Sequence, residues 1–158
     1  MRRMSIVLMT LILVFGLAIS SHAILIDRGG GMIYSTDLDV TWLQDAKYAR
    51  TSNYDSDGFM PWNQAMSWAA NLEYGGYDDW RLPTYDPDGN HQRDDATTEH
   101  EMAYLIYTEL GNNDGDWPMN YGPFINVNPN YHDESGYSHW SSTEIGPDAA
   151  GYLMLDCG

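Results

Sequence analysis

Cysteine and positive charge are what this sequence of 158 residues has least of. Its single cysteine, Cys157, is the second residue from the C-terminus, so no disulfide can form within the chain. A free terminal thiol and a disulfide to a second copy both stay open. Lysines and arginines number 7 against 23 aspartates and glutamates, a formal net charge of −16. So acidic a chain repels nucleic acid, anionic lipid and sulfated polysaccharide, and we exclude nucleic acid as a partner.

Long apolar runs are scarce, and the one that occurs lies at the N-terminus. Residues 6–19 are almost wholly apolar, follow two arginines and precede Ser21 and Ala23, small residues at the two positions that a signal peptidase reads. This pattern predicts a secretory signal peptide, residues 1–23, and a secreted protein of the periplasm or the extracellular space. An uncleaved anchor is the alternative, although the run is shorter than the roughly 20 residues that span a bilayer. Residues 24–158 then predict one domain without a transmembrane segment.

Sequence signatures of common hydrolases are also missing. Neither the nucleophile elbow G-x-S-x-G nor the zinc-protease pattern H-E-x-x-H occurs. The histidines at 91, 100, 132 and 139 do not have zinc-ligand spacing. We therefore predict that the protein is not an enzyme. A hydrolase that works through a pair of carboxylates is the alternative that so acidic a chain leaves open.

The stretch at residues 61–84, PWNQAMSWAANLEYGGYDDWRLPT, organises the chain. Pro61 suits the first turn of a helix, because its fixed φ is already helical. Apolar side chains then recur every three or four residues from 62 to 72, which predicts one stripe facing the core. The pair Gly75 and Gly76 predicts the end of this helix, since glycine takes a left-handed conformation without penalty.

A short strand or extended segment is predicted after the glycine pair, closed by Pro83. It places Arg81 among aromatic residues, with Asp78 and Asp79 nearby. One interpretation of Arg81 is a half-buried guanidinium fork to a carboxylate or to backbone carbonyls. The other is a ligand-binding arginine.

The remaining patterns predict an α+β domain with long loops. Two short strands around an acidic turn are expected within residues 25–43, followed by a surface loop over 45–57. A second helix is predicted from a capping box formed by Thr98 and Glu101 to a stop at Gly111. Further strand-like segments are 124–127, 139–143 and 152–155.

Two motifs carry a family resemblance: WRLPT at residues 80–84 and WSSTE at residues 140–144. Supporting matches are GMIY at 31–34, TW at 41–42, the helical residues 62–72 and EM at 101–102. On these residues the chain resembles the family of secreted domains named after the C-terminal domain of the Legionella collagen-like protein. It is similar to the branch that often carries a PEP-CTERM sorting tail.

The resemblance implies a C-type-lectin-like fold with two helices, short antiparallel strands and long loops, related to that of the formylglycine-generating enzymes. It also implies an extracellular binding module, since some relatives bind polysaccharide or host glycans. Relatives continue past the strand at 152–155, so the resemblance implies a C-terminally truncated form of the fold. The thiol chemistry of the formylglycine-generating enzymes is excluded, because no cysteine precedes Cys157.

Two sets of side chains are candidates for binding. Aromatic rings stack on sugar faces as well as filling cores. The tryptophans in predicted regular segments are expected in the core: Trp42, Trp62, Trp80 and Trp140. Aromatic residues in predicted loops are the better ligand contacts, and with Arg81 the ligand set is Trp117, Tyr121, Tyr131, Tyr137. Short acidic stretches around glycine turns suit calcium, which takes six to eight oxygen ligands. The calcium set is Asp55, Asp57, Asp86, Asp88, Asp114, Asp116. Solvated acidic turns are the alternative for this second set.

The function predicted from these observations is a secreted, non-enzymatic module that binds carbohydrate or another cell-envelope polymer through the loops at 112–137. The alternative is a structural or protein-interaction component of the envelope or extracellular matrix, without a small ligand.

Overall fold

The structure is a computed structural model that describes residues 24–86, 98–113, 116, 119–127, 138–146 and 149–154. The predicted signal peptide therefore lies outside the described residues. Within them the chain is α+β, as predicted. No described helix is long and apolar enough to cross a membrane. The elements are, in order, β1 (Leu25–Gly29), β2 (Met32–Ser35), β3 (Val40–Leu43), α1 (Tyr48–Thr51), α2 (Trp62–Ala70), α3 (Glu101–Ala103), a π-helical segment (Tyr104–Glu109), β4 (Ser138–Gly146) and β5 (Ala149–Met154).

Three strands, not the predicted two, form an antiparallel sheet in the order β1-β2-β3. The additional strand arises because Gly29, Gly30 and Gly31 all have positive φ, of 75°, 61° and 78°, and fold β1 back onto β2. Across β2 and β3, Tyr34 pairs directly with Thr41. Directly paired residues project from the same face of a sheet, so these two side chains lie side by side.

The helix predicted from Pro61 is α2, but it ends at Ala70, earlier than predicted. Pro61 takes the N-cap position, and the helix finishes at Asn71 without a glycine. The Asn71 side-chain amide donates to the carbonyl of Ser67 at 2.7 Å, which satisfies part of the last turn.

The glycine pair forms a separate tight turn. Gly75 and Gly76 have φ of 63° and 86°, as a two-residue hairpin turn requires. The backbones of Tyr74 and Tyr77 close it through two reciprocal hydrogen bonds of 3.0 Å. The prediction that this pair ends the helix is therefore wrong, although the turn it predicts is present.

The predicted capping box of the second helix is also wrong. His100 occupies the N-cap position of α3, and its Nδ1 accepts a hydrogen bond from the backbone of Ala103 at 3.3 Å. The Glu101 side chain does not reach back to Thr98. It pairs with the Arg81 side chain instead. The stop at Gly111 is confirmed, with a φ of 70°.

The segment predicted as a plain loop over 45–57 contains the single helical turn α1. The predicted extended piece at 124–127 is reduced to one parallel bridge between Ile125 and Asp45. The two strands predicted near the C-terminus are confirmed and pair as the antiparallel hairpin β4-β5.

The two motif segments contact each other in space. Ser142 on β4 donates from its backbone to the carbonyl of Pro83 at 2.8 Å. The backbone of Tyr85 donates to the Thr143 hydroxyl at 3.0 Å. The segments that carry the WRLPT and WSSTE motifs thus meet at one junction.

The four tryptophans predicted as core are half-buried. Three of them join separate segments through the indole N–H, which donates to a backbone carbonyl: Trp62 to Ser141, Trp80 to Tyr74, and Trp140 to Met60. The buried cluster is built instead from Met102, Ile106 and Met119, with Trp42, Tyr107 and Tyr121 packed against it.

A buried carboxylate joins the π-helical segment to the sheet. Glu109 accepts a hydrogen bond from the Ser35 hydroxyl through one oxygen, while its other oxygen is buried without a partner among the described residues. Burial and the nearby charge of Asp37 raise the pKa of Glu109, although the Ser35 hydrogen bond opposes them.

We expect Glu109→Gln to stabilise the fold at neutral pH. The raised pKa means that the folded state holds this proton more tightly than the unfolded state does. Wild-type stability from this group is therefore present below the ordinary pKa and is lost as the pH rises through the folded pKa. Urea unfolding at roughly pH 3.5 and pH 7.5, either side of an ordinary glutamate pKa of about 4.3, measures the effect.

The control for this change is Glu144→Gln, which removes the same charge from an exposed position on β4. The Glu109 variant should gain over wild type only at the higher pH, whereas the Glu144 variant should follow wild type. A Glu109 variant that is less stable than wild type at pH of roughly 7.5 would contradict this account of the buried oxygen.

Candidate functional site

A groove lies between the three-stranded sheet and residues 78–83, which follow the glycine turn and form no strand, although a short strand or extended segment is predicted there. Its volume is about 430 Å³. We call it the aromatic groove, because four aromatic rings line it together with charged groups. The lining residues are Arg28, Tyr34, Asp39, Val40, Thr41, Trp42, Tyr77, Asp79, Trp80, Arg81, Pro83 and Glu101.

The sheet supplies one wall, in which the polar groups are bonded to one another. The Arg28 guanidinium lies 3.9 Å from the centre of the Tyr34 ring and donates to the Thr41 hydroxyl at 3.1 Å. The Tyr34 hydroxyl donates to Asp39 at 2.7 Å. That hydrogen bond is the main reason that the pKa of Tyr34 is raised. Asp39 has a φ of 52°, unusual for a residue other than glycine, and this conformation holds its carboxylate beside the ring.

The opposite wall is held by a forked ion pair between Arg81 and Glu101. The two guanidinium nitrogens of Arg81 donate to the two carboxylate oxygens at 2.6 and 2.8 Å. Glu101 also accepts from the backbone of Thr84 at 2.8 Å. Burial alone raises the pKa of Glu101, but the hydrogen bonds from Arg81 and Thr84 outweigh it and lower the pKa below its ordinary value.

Trp80 is fixed beside this ion pair by a chain of aromatic contacts. Its indole N–H donates to the Tyr74 carbonyl at 3.2 Å. The rings of Trp80 and Tyr74 meet edge to face, with their centres 6.0 Å apart. The Tyr74 ring in turn packs on the Tyr48 ring, with their centres 4.8 Å apart. The Tyr74 hydroxyl donates to the Gly30 carbonyl at 2.8 Å. The Trp80 ring is thus held in one place, as a stacking surface must be.

Two lining groups remain available to a ligand. The Tyr77 side chain is 50% exposed. The Asp79 carboxylate is exposed, and no hydrogen bond or ion pair holds it among the described residues. Trp42 also lines the groove, but its indole nitrogen is buried and finds no partner in the described part of the chain.

Of the two predicted ligand contacts that the structure describes, Arg81 lines this groove and Tyr121 does not. The structure bears out the fork of this arginine to a carboxylate, which comes from Glu101 on α3 and not from the neighbouring Asp78 or Asp79. Tyr121 packs against the buried methionine cluster, and the ligand contact predicted for it stays a prediction. The other three predicted contacts, Trp117, Tyr131 and Tyr137, lie outside the described residues.

The predicted calcium residues are not gathered into one site in the described ranges. There, no three or more histidine, cysteine, aspartate or glutamate side chains are placed to hold a metal ion. Asp55 accepts from the backbone of Asp57 and of Gly58 at 3.1 and 2.7 Å, an ordinary acidic turn. Asp116 likewise accepts from Asn113. Asp86 is half-buried next to Tyr85, and Asp88 and Asp114 lie outside the described residues.

Several groove residues are not predicted from the sequence, chiefly Tyr77, Asp79 and Trp80. The place of Trp80 in a regular-looking segment favours a core role instead. A usable signal is present, since aromatic and charged residues are interspersed over residues 77–81 without the apolar stretch that a buried strand needs.

Comparisons with known proteins returned no match, whether to a family model, to a curated protein or to a solved structure.

Proposed function

We propose that this chain is a secreted, non-enzymatic carbohydrate-binding module and that the aromatic groove is its ligand site. The observation that carries the proposal is the combination of exposed and fixed aromatic rings with planar polar side chains along one groove. A sugar ring has apolar C–H faces that stack on aromatic rings and hydroxyl groups that bond to carboxylates and guanidinium groups. The groove volume of 430 Å³ lies in the range of about 300–1,000 Å³ that is usual for small-molecule sites.

The motif resemblance supports the same proposal from another direction. We propose a C-type-lectin-like fold of the Legionella collagen-like C-terminal domain family, on the WRLPT and WSSTE motifs and the α+β architecture with long loops. Secretion rests on the N-terminal residues 1–23 alone. The motif arginine, Arg81, both anchors the fold and lines the groove, which links the resemblance to the site.

Tyr77→Ala is the variant that tests the groove. Its ring is half exposed, so its removal should leave the unfolding midpoint unchanged while the loss of stacking weakens binding by about tenfold, equivalent to about 1.4 kcal/mol. A glycan array identifies the strongest binding sugar, and calorimetric titration of that sugar then measures affinity for wild type and variant.

The matched control is Tyr54→Ala, a tyrosine that is 54% exposed and does not line the groove. It should bind as wild type does. Trp117→Ala tests the loop residues that the sequence predicted. If the Trp117 variant alone loses binding, the ligand site is in the predicted loops and the groove proposal is wrong.

A structural or protein-interaction role is the second candidate, and exposed apolar side chains on outer strands favour it. Ile24, just before β1, and Ile26, on β1, are 57% and 44% exposed. Ile145 and Tyr152 on the C-terminal hairpin are 49% and 46% exposed. Such side chains on sheet edges suit contact with another protein. An array on which no glycan binds wild type would favour this second role.

A further inference from the structure

The charged groups of the aromatic groove differ in whether they already have partners within the protein. Both of its cations have them. Arg28 lies on the Tyr34 ring and bonds to Thr41, and Arg81 is held in the fork with Glu101. An anionic sugar would have to displace one of these contacts before it could pair with a guanidinium, and displacing Arg81 would leave a buried carboxylate unpaired.

One carboxylate of the groove has no partner among the described residues. Glu101 is neutralised by the fork, and Asp39 accepts from the Tyr34 hydroxyl. Asp79 is exposed and has neither a hydrogen bond nor an ion pair among the described residues. The charge that the groove can offer to a ligand is therefore negative.

The position of Asp79 between two aromatic residues strengthens this point. Tyr77, Asp79, Trp80 and Arg81 line the groove, whereas Asp78 does not. A carboxylate next to aromatic rings is the arrangement that attracts an ammonium group, through direct charge and through the negative faces of the rings.

We infer that the groove prefers sugars that carry a free amino group, such as glucosamine units, over neutral N-acetylated sugars and over uronic acids. This inference rests on the proposed carbohydrate-binding function and names its ligand class. The net charge of −16 agrees with it, because the field of the whole chain attracts cationic ligands and repels anionic ones.

The test is a calorimetric titration with three short oligosaccharides of equal length, built from glucosamine, N-acetylglucosamine or galacturonic acid. Salt at about 0.15 M screens attraction beyond about 8 Å, so general attraction to an acidic protein is reduced. Wild type should bind the glucosamine oligomer at least about tenfold more tightly than the N-acetylated one, and the galacturonic acid oligomer most weakly. Raising the pH until the sugar amine is neutral should abolish the difference.

Asp79→Asn and Asp78→Asn form a matched pair for this test. Both residues are exposed neighbours and each change removes one negative charge, but only Asp79 lines the groove. Asp79→Asn should abolish the preference, so that this variant binds the glucosamine and N-acetylglucosamine oligomers equally. Asp78→Asn should keep the wild-type preference.

The outcomes separate this inference from the proposed function. Equal affinity of wild type for the glucosamine and N-acetylglucosamine oligomers overturns the amino-sugar preference and leaves carbohydrate binding in place. Equal losses in the Asp78 and Asp79 variants also overturn it, since they would mean attraction to overall charge. If wild type binds none of these oligomers and no sugar on the array, both the amino-sugar preference and the proposed carbohydrate binding are overturned.

Discussion

Replacing Arg81 by methionine is expected to lower the free energy of unfolding by about 3 kcal/mol, the lower end of the cost of breaking a buried ion pair. Methionine keeps much of the side-chain length but leaves Glu101, whose side chain is only 8% exposed, without its partner. The cost stays at the lower end because the Arg81 side chain is 49% exposed and part of its charge is already screened by water.

The loss of stability in Arg81→Met should become smaller at low pH. In wild type the pKa of Glu101 is lowered, so its contribution to stability is present above the unfolded pKa and is lost as the pH falls through the folded pKa. Without the hydrogen bonds from Arg81, burial raises the pKa of Glu101 with less opposition. Protonation of Glu101 then removes the unpaired buried charge and stabilises the variant. The difference in stability between wild type and variant should therefore shrink on acidification.

Urea unfolding followed by tryptophan fluorescence measures both effects. Arg81→Lys is the conservative control, and it should lose part of the stability because an ammonium cannot form the two-pronged contact. Combining Arg81→Met with Glu101→Gln should recover stability relative to Arg81→Met alone, since no buried charge is left unpaired. An Arg81→Met variant within about 0.5 kcal/mol of wild type at neutral pH would show that the fork does not support the fold.

Replacing Gly151 by alanine is expected to cost about 1–3 kcal/mol, as overpacking does in a filled interior. A Cβ at this position on β5 would overlap the ring of Tyr85 and come within 3.0 Å of the Ser141 hydroxyl. Both neighbours are buried, at 8% and 0% exposure, so neither can move aside into solvent. The change tests whether the C-terminal hairpin packs on the segment that follows the WRLPT motif.

Gly146→Ala provides the matched control on the same hairpin. A Cβ there has nothing within 4 Å, and the glycine does not have a positive φ. The variant should stay within about 0.5 kcal/mol of wild type, because alanine limits the unfolded chain without a clash. Equal thermal midpoints for the Gly151 and Gly146 variants would contradict the packing of Tyr85 against β5.

Local patterns predicted some elements well and misplaced others for identifiable reasons. The helix after Pro61 and the strands near 140 and 152 follow from periodicity, which acts over a few residues. The glycine pair Gly75 and Gly76 was assigned to a helix end, although two adjacent residues with positive φ suit a hairpin turn better. The Thr98 capping box failed because Glu101 has a stronger partner elsewhere.

By itself the sequence determined the strongly acidic surface, the absence of an internal disulfide and the α+β class, since each follows from composition or short-range pattern. Only the tertiary structure decided which residues share a site. Arg81 and Glu101 are 20 positions apart and Arg28 and Thr41 are 13 apart, yet each pair meets in the groove. Such contacts depend on how the sheet packs beside residues 78–83, and that packing reflects burial over the whole chain, which a local pattern does not encode.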